Sequence, residues 1–447
     1  MMPRTLRILV PLVTLGSLLA GSLGLGRVSQ ATAATAHSPK VITILIQYPY
    51  VDPKKYLNDK TKKADMGSYR AAQMTDAVFK EFLKSHPGYT INALNWGWSD
   101  PLRQKILLNI AAGNVPDVIV GEDFFPEFAR EGILEPVDLG PLRNELAQGP
   151  LSVGTYDGKV YAVPAQTGIF ALYYNKTLFT RAGLDPAKPP TTWDEWLADS
   201  KKIAALGGGI SGTPVEAATG LGAAFRVAPF LRQLGGDFMS KDGTKITFNS
   251  PANVKALTFL RQLEATAAPG TASILDEGKW FSSWWSNKAG FVVDGPWEMN
   301  ASTQNKVDWG VAPLPLPTGG HPANVVVGNL MFAVTHLAKQ KQAALDFVKL
   351  VASQKGATLN FEKTGYQYLP ANTKVADAEM ANLSGGMTTF IQALKLPGIT
   401  GLPSYPANPQ KVWDEWYNAQ LAAIGTTQSI PAVLAKAQSN AEMLITQ

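Results

Sequence analysis

Across 447 residues, hydrophobic types make up 45% and charged types 17%, a composition that supplies large cores for two or three domains and excludes wholesale disorder. The formal net charge of +5 falls to about +2 once Arg4, Arg7 and Arg27 are set aside in the N-terminal segment, and no dense Lys/Arg cluster follows, which argues against a nucleic-acid partner. With no cysteine there is no disulfide, thiolate nucleophile or Cys-ligated zinc; the four scattered histidines (His37, His86, His321, His336) offer no helical ligand pair or Ser-His-Asp triad, so no metal, cofactor or catalytic set is expected.

Arg4 and Arg7 precede an apolar run over 8–20, small residues follow, and Ala34-Thr35-Ala36 is an A-x-A cleavage site. This pattern reads as a secretory signal peptide over 1–36, removed to leave a chain that starts near His37. The competing reading, an uncleaved anchor, is weakened by Gly16, Gly21, Gly24 and Gly26. Leu19-Ala20-Gly21-Ser22 has the outline of a lipoprotein site, but Ser22 stands where the lipid-bearing Cys is required, so no lipid is expected.

From residue 40 the chain alternates strand and helix patterns. A β-rich run covers 41–46, helical apolar spacing (Met74, Val78, Phe79, Phe82) covers 68–83, and further strands are predicted over 89–94 and 118–120, with a helix from Asp100-Pro101 to Ile110 between them. This β-α-β-α-β order predicts a mainly parallel sheet with ligand-binding segments just beyond its carboxyl ends, at 47–51, 95–99 and 121–125. A second unit follows Val163. Strands are predicted over 171–174, 245–248, 289–293, 325–327 and 332–334. Helices are predicted from Thr192, with the capping-box partner Glu195, over 253–264 and 343–351, and over 413–424 and 430–446 at the end. Gly207-Gly208-Gly209 lacks a following Lys-Ser/Thr and is no phosphate loop.

The segments YDGKVYAVP (156–164), LYYNKTLF (172–179) and PTTWDEW (190–196) resemble the family 1 extracellular solute-binding proteins, the maltose-binding-protein-like receptors of sugar ABC transporters. AGNVPDV (112–118), GILEP (132–136), the stretch 290–297, WGVAPLP (309–315) and GYQYLPAN (365–372) match in the same order, so the resemblance runs from about residue 41 to the C-terminus. It implies an α/β, two-lobed fold with a mainly parallel sheet in each lobe and a ligand cleft between them. The implied division is 37–167 with 329–350 for the first lobe and 168–328 with 351–447 for the second. Chain crossings fall near 167–172, 326–329 and 348–353.

A sugar presents apolar C–H faces, which suit aromatic rings, and hydroxyls, which suit carboxylates and amides. Trp297 follows a strand and the Gly295-Pro296 turn and matches the family's sugar-stacking Trp. Asp123 sits just past a strand, where it would bind hydroxyls or cap the next helix; Glu122 is its neighbour alternative. Trp96 and Trp98 flank Gly97 after the second strand, and alternation turns one of them toward the cleft. Trp284 is a further candidate, with core packing as its rival; the resemblance adds Trp413, near a position where the family often puts a second stacking aromatic, and Tyr366, before a Pro-rich turn that the family brings to the cleft, and Phe225 is a third aromatic candidate. Many relatives carry a sugar-binding acid before the strand at 172–175; here Gly168 falls at that position, leaving Gln166 and Thr167 as weaker hydrogen-bonding candidates. The expected protein is a secreted, monomeric, non-enzymatic carbohydrate receptor that closes on its ligand and delivers it to the permease subunits of an ABC importer. The rivals are a secreted glycoside hydrolase or lyase, which needs two facing carboxylates, and a receptor for glycerol 3-phosphate or a polyamine.

Overall fold

The β-rich run after Pro39 forms strand β1 (Lys40–Leu45), flanked in parallel by β2 (Tyr89–Leu94) and β3 (Val118–Gly121), with Ile44 opposite both Ala93 and Val118. Ile42, Ile44, Leu45 and Ile46 are at most 1% exposed, and burial on both faces is why this run does not alternate. The helix Met66–Ser85 connects β1 to β2 and lays Met74, Val78 and Phe82 into the core, where Phe82 meets Phe347 edge-on at 5.5 Å. The computed structural model describes residues 39–446 apart from Trp98, Asp123, 365–367 and 381–385; the leader expected over 1–36 lies outside the described residues.

A small hairpin, β4 (Thr155–Tyr156) and β5 (Lys159–Val160), turns at Asp157 and Gly158, with φ of 47° and 73°. The wholly buried β6 (Ala162–Ile169) follows, then β7 (Ala171–Asn175), β8 (Phe291–Asp294), β9 (Trp309–Ala312), β10 (Val326–Val334) and β11 (Leu369–Pro370). Among the described residues these make a six-stranded sheet of order β11-β6-β10-β3-β1-β2 and a three-stranded sheet of order β8-β7-β9, the bases of two lobes.

The expectation of a mainly parallel sheet in each lobe is corrected. β1, β2 and β3 are parallel, but β10 runs antiparallel to β3 and β6, and β7 is antiparallel to both β8 and β9. The unit β8–helix–β9 is a crossover with β7 inserted between its strands. An inserted strand paired with segments more than 100 residues away leaves no local signature of its direction. The strand predicted over 245–248 is reduced to an isolated bridge between Met239 and Ile246, and those predicted over 325–327 and 332–334 are one strand, β10, interrupted in register between Val327 and Leu330.

The chain passes from β6 in one sheet to β7 in the other through Phe170 alone, and returns through β10. Thr167 Oγ1 donates to Asn329 Oδ1 at 2.6 Å, tying these two crossings together. The third crossing, expected near 348–353 with all of 351–447 beyond it, is corrected. Ser353 separates two helices on the same lobe, Lys341–Ala352 and Gln354–Thr364, and the second packs on Met66–Ser85, while β11 extends the six-stranded sheet. The helix Gly386–Leu394 touches β6, β7 and β9, and only after it does the chain return to the second lobe, along a segment bridged at Thr400 to Val325. Arg232 holds this crossing, donating to the carbonyls of Thr400 (3.0 Å), Gly401 (2.8 Å) and Asn324 (3.3 Å). The helices Pro409–Gly425 and Ile430–Ile445 then close the second core. No helix among the described residues is long and apolar enough to cross a membrane.

Candidate functional site

A cleft opens between the lobes at the carboxyl ends of β1 and β3, where the parallel topology places it. Gln47, two residues beyond β1, lines it with Gly121 at the end of β3, Glu122 and Phe124 after it, and Arg103 and Glu127 from the neighbouring helices. The second lobe contributes Leu221, the turn Leu402-Pro403-Ser404, and Trp413 and Tyr417 from one helix face. The cavity itself is about 100 Å³, or about 840 Å³ when the adjoining space open to solvent is counted. The first-lobe wall carries the charged groups beside Leu102 and Phe124: Arg103 forks onto Glu127, with Nε 3.0 Å from Oε2 and its terminal nitrogen on Oε1. The second-lobe wall is aromatic, with Trp413 and Tyr417 one turn apart, their rings 5.9 Å apart and 12° from parallel. Edge contacts from Phe238 (5.2 Å) and Tyr405 (5.1 Å) fix Trp413 from behind. Arg130 of the first lobe donates to the Tyr405 carbonyl at 3.1 Å, linking the two walls.

Trp297 stands at the crossings rather than in that cavity. Half-buried, it lies 6.5 Å from Phe170 and 5.7 Å from Tyr368 between ring centroids. Its indole rests on both crossing strands at Gly168 and Gly328: a Cβ on Gly168 would fall 2.5 Å from Cζ3, and one on Gly328 2.9 Å from it. Trp297 thus fills the space that a side chain at position 168 would need. The Tyr368 phenol is held above its usual range, first by burial and then by the negative charge of Glu122, with Tyr48 and Asp294 adding to it. These groups of both lobes therefore share one electrostatic neighbourhood.

The turn that carries Trp297 is braced from below. Arg226 lies 2.6 Å from Glu216, 2.9 Å from Glu277 and 3.0 Å from Asp294, whose other contact is the Gly295 N–H at 2.8 Å. Phe170, Trp280 and Phe281 surround the guanidinium at 5.4 to 5.9 Å. Burial pushes the Asp294 and Glu216 carboxyls upward, against the pull of Arg226.

Of the residues singled out in the sequence, Trp413 and Glu122 line the cleft. Asp123, Trp98 and Tyr366 lie outside the described residues. Trp96 is half-buried against the first core with Lys105 Nζ 5.4 Å from its ring, and it does not line the cavity. Trp284 is corrected to a core residue: it is fully buried, with Nε1 donating to Ser302 at 2.8 Å. Phe225 is corrected likewise, its ring buried in the second core by the helix Leu221–Gln233. Gln166 and Thr167 are buried in β6, and the Thr167 hydroxyl is spent on Asn329. Arg103 and Tyr417 were missed, and Gln47 was marked only as the start of the segment 47–51. Gln47 is the first polar residue after an apolar run, and Tyr417 repeats Trp413 at i+4; both signals are local.

The chain belongs to the bacterial extracellular solute-binding proteins, whose family model matches residues 67–358. It is 29% identical over 324 residues to a putative binding protein of Brucella abortus, covering 67% of this chain and 76% of that one. It is 26% identical to the sn-glycerol-3-phosphate-binding periplasmic protein of Salmonella typhimurium over 67% of this chain and 71% of that one. It is 24% identical to the maltooligosaccharide ABC transporter solute-binding lipoprotein of Streptococcus pneumoniae over 92% of this chain and 90% of that one. The cyclic alpha-maltosyl-1,6-maltose binding protein from Arthrobacter globiformis shares the fold at TM-score 0.75 and 23% identity, over 91% of this chain and 99% of that one.

Proposed function

We propose that the protein captures a neutral saccharide in the cleft by lobe closure and presents it to the permease subunits of an ABC importer. The carrying observation is a cavity walled by hydrogen-bonding groups of one lobe and stacked aromatic rings of the other, the two surfaces that a sugar's hydroxyls and C–H faces require. Ligand contact with both lobes favours the closed form and shifts its population. The proposed lobes are 39–169 with 326–380, and 171–324 with 402–446, with Trp297 at their junction as a proposed further contact beyond the cavity that Trp413 and Tyr417 line. Asp123, Trp98 and Tyr366 remain proposed contacts. The mature protein is proposed to be exported, monomeric and free of lipid.

The names of the Streptococcus and Arthrobacter relatives support a saccharide, and that of the Salmonella relative supports glycerol 3-phosphate. The cleft favours the former: its cation, Arg103, is already engaged by Glu127, and Glu122 adds negative charge beside it. Glu127 is likewise engaged, which argues against a free pair of hydrolytic carboxylates. A thermal-shift screen with glucose, maltose, maltotetraose and sn-glycerol 3-phosphate tests the reading, since bound ligand raises the melting temperature by mass action. A sugar is expected to give the largest rise. A rise with glycerol 3-phosphate alone, or release of reducing ends from maltotetraose, refutes the reading.

A further inference from the structure

We infer that Gln47 is a ligand-binding residue that selects a group able both to donate and to accept a hydrogen bond, a saccharide hydroxyl pair rather than an anion; this rests on the saccharide reading above. Gln47 is 2% exposed, and neither its Nε2 nor its Oε1 has a hydrogen-bond partner. Among the described residues it is the buried side-chain amide with both atoms unpartnered; Gln233, equally buried, has its Oε1 engaged by Trp193. Buried polar groups are nearly always satisfied, because desolvating one without a partner opposes folding. An orphaned amide that lines a cleft is therefore explained by what enters the cleft.

The backbone holds this amide in place. Ile46 N–H donates to Leu94 at 2.8 Å, and the Gln47 carbonyl accepts from Tyr50 N–H at 2.7 Å, so the side chain leaves a fixed strand end with its hydrogen-bonding capacity unspent. A hydroxyl can accept from Nε2 while a hydroxyl, the same or its neighbour, donates to Oε1. A phosphate oxygen only accepts, leaving Oε1 unsatisfied and facing a like partial charge, with Glu122 also lining the cleft. Trp413 and Tyr417, on the other lobe, receive the C–H face of the same ring.

The test is Gln47→Leu, which keeps the volume and removes both amide atoms, with Gln47→Glu as the variant that removes the donor. Calorimetric titration uses glucose, maltose, maltotetraose and sn-glycerol 3-phosphate, with melting temperatures taken without ligand. The expected result is at least a tenfold weaker affinity of Gln47→Leu for whichever sugar the wild type binds, with a ligand-free melting temperature equal to or above that of the wild type, and a smaller loss for Gln47→Glu. A lower melting temperature or failure to fold makes Gln47 structural and overturns the inference. So does sugar affinity within twofold of wild type, which would leave the saccharide reading standing. Wild-type binding of glycerol 3-phosphate and of no sugar would bring down both.

Discussion

Replacing Gly168 by alanine isolates the seat of Trp297. Gly168 pairs with Val327 in extended backbone, outside the left-handed region, so alanine brings no conformational strain and the whole effect is steric. The new methyl would lie 2.5 Å from Trp297 Cζ3 and 2.9 Å from the Val327 carbonyl oxygen, both shorter than real contacts allow. One partner is a rigid ring and the other is backbone, so the local structure must shift; overpacking of this kind costs about 1–3 kcal/mol. In a Trp297→Ala background the ring contact disappears and only the carbonyl contact remains. The two substitutions should therefore be non-additive by about 1–2 kcal/mol, the range for residues in direct contact. Urea unfolding of the wild type, both single variants and the double variant measures this coupling. Additivity within about 0.3 kcal/mol, with Gly168→Ala near wild-type stability, would show that Trp297 does not rest on the crossing and would refute the steric account of position 168.

Burial raises Glu264 to about 7 despite the N–H groups of Val215 and Ala272 donating to it. Its contribution to stability is thus fully present below the unfolded carboxyl value and lost as pH rises toward 7, by about 3 kcal/mol relative to Glu264→Gln; a difference between the two proteins that stays constant from pH 4.5 to 8 in urea unfolding would contradict this. Arg232→Met should destabilise by about 3 kcal/mol through three carbonyls left without their donor, read as a fall in melting temperature. Tyr417→Ala should weaken sugar binding by about 1–2 kcal/mol at near-normal stability, whereas Trp284→Ala should lower stability by about 3–5 kcal/mol and leave the affinity of the folded fraction unchanged. Calorimetry and unfolding on the same two variants check this contrast.

Strands β1 and β3 and the helix Met66–Ser85 were legible because their burial follows from short apolar runs and 3.6-residue spacing. The Thr192 capping box, complete with Glu195, was equally local. What the sequence concealed depends on distant pairings. The directions of β7 and β10 are set by neighbours far along the chain, and β11 is two residues long. The break at Ser353 looks like a lobe boundary, yet its hydroxyl accepts from Gly356 N–H at 3.2 Å and starts another helix on the same lobe. At the site, Trp413 and Glu122 could be read from position, but Trp284 and Phe225 could not be told from cleft aromatics until the helices above them were in place. Gln47 stood in the segment 47–51 that the strand order marked beyond the end of β1, and only its missing partners single it out.

Calorimetric titration of the mature protein at low and high salt, with the sugar that gives the largest thermal shift, tests the central claim most directly. The account predicts one saturable site with a dissociation constant of roughly micromolar, unchanged by salt because a neutral ligand makes no charge contact to screen. Saturable binding of sn-glycerol 3-phosphate that weakens as salt rises, with no heat from any sugar, would contradict it.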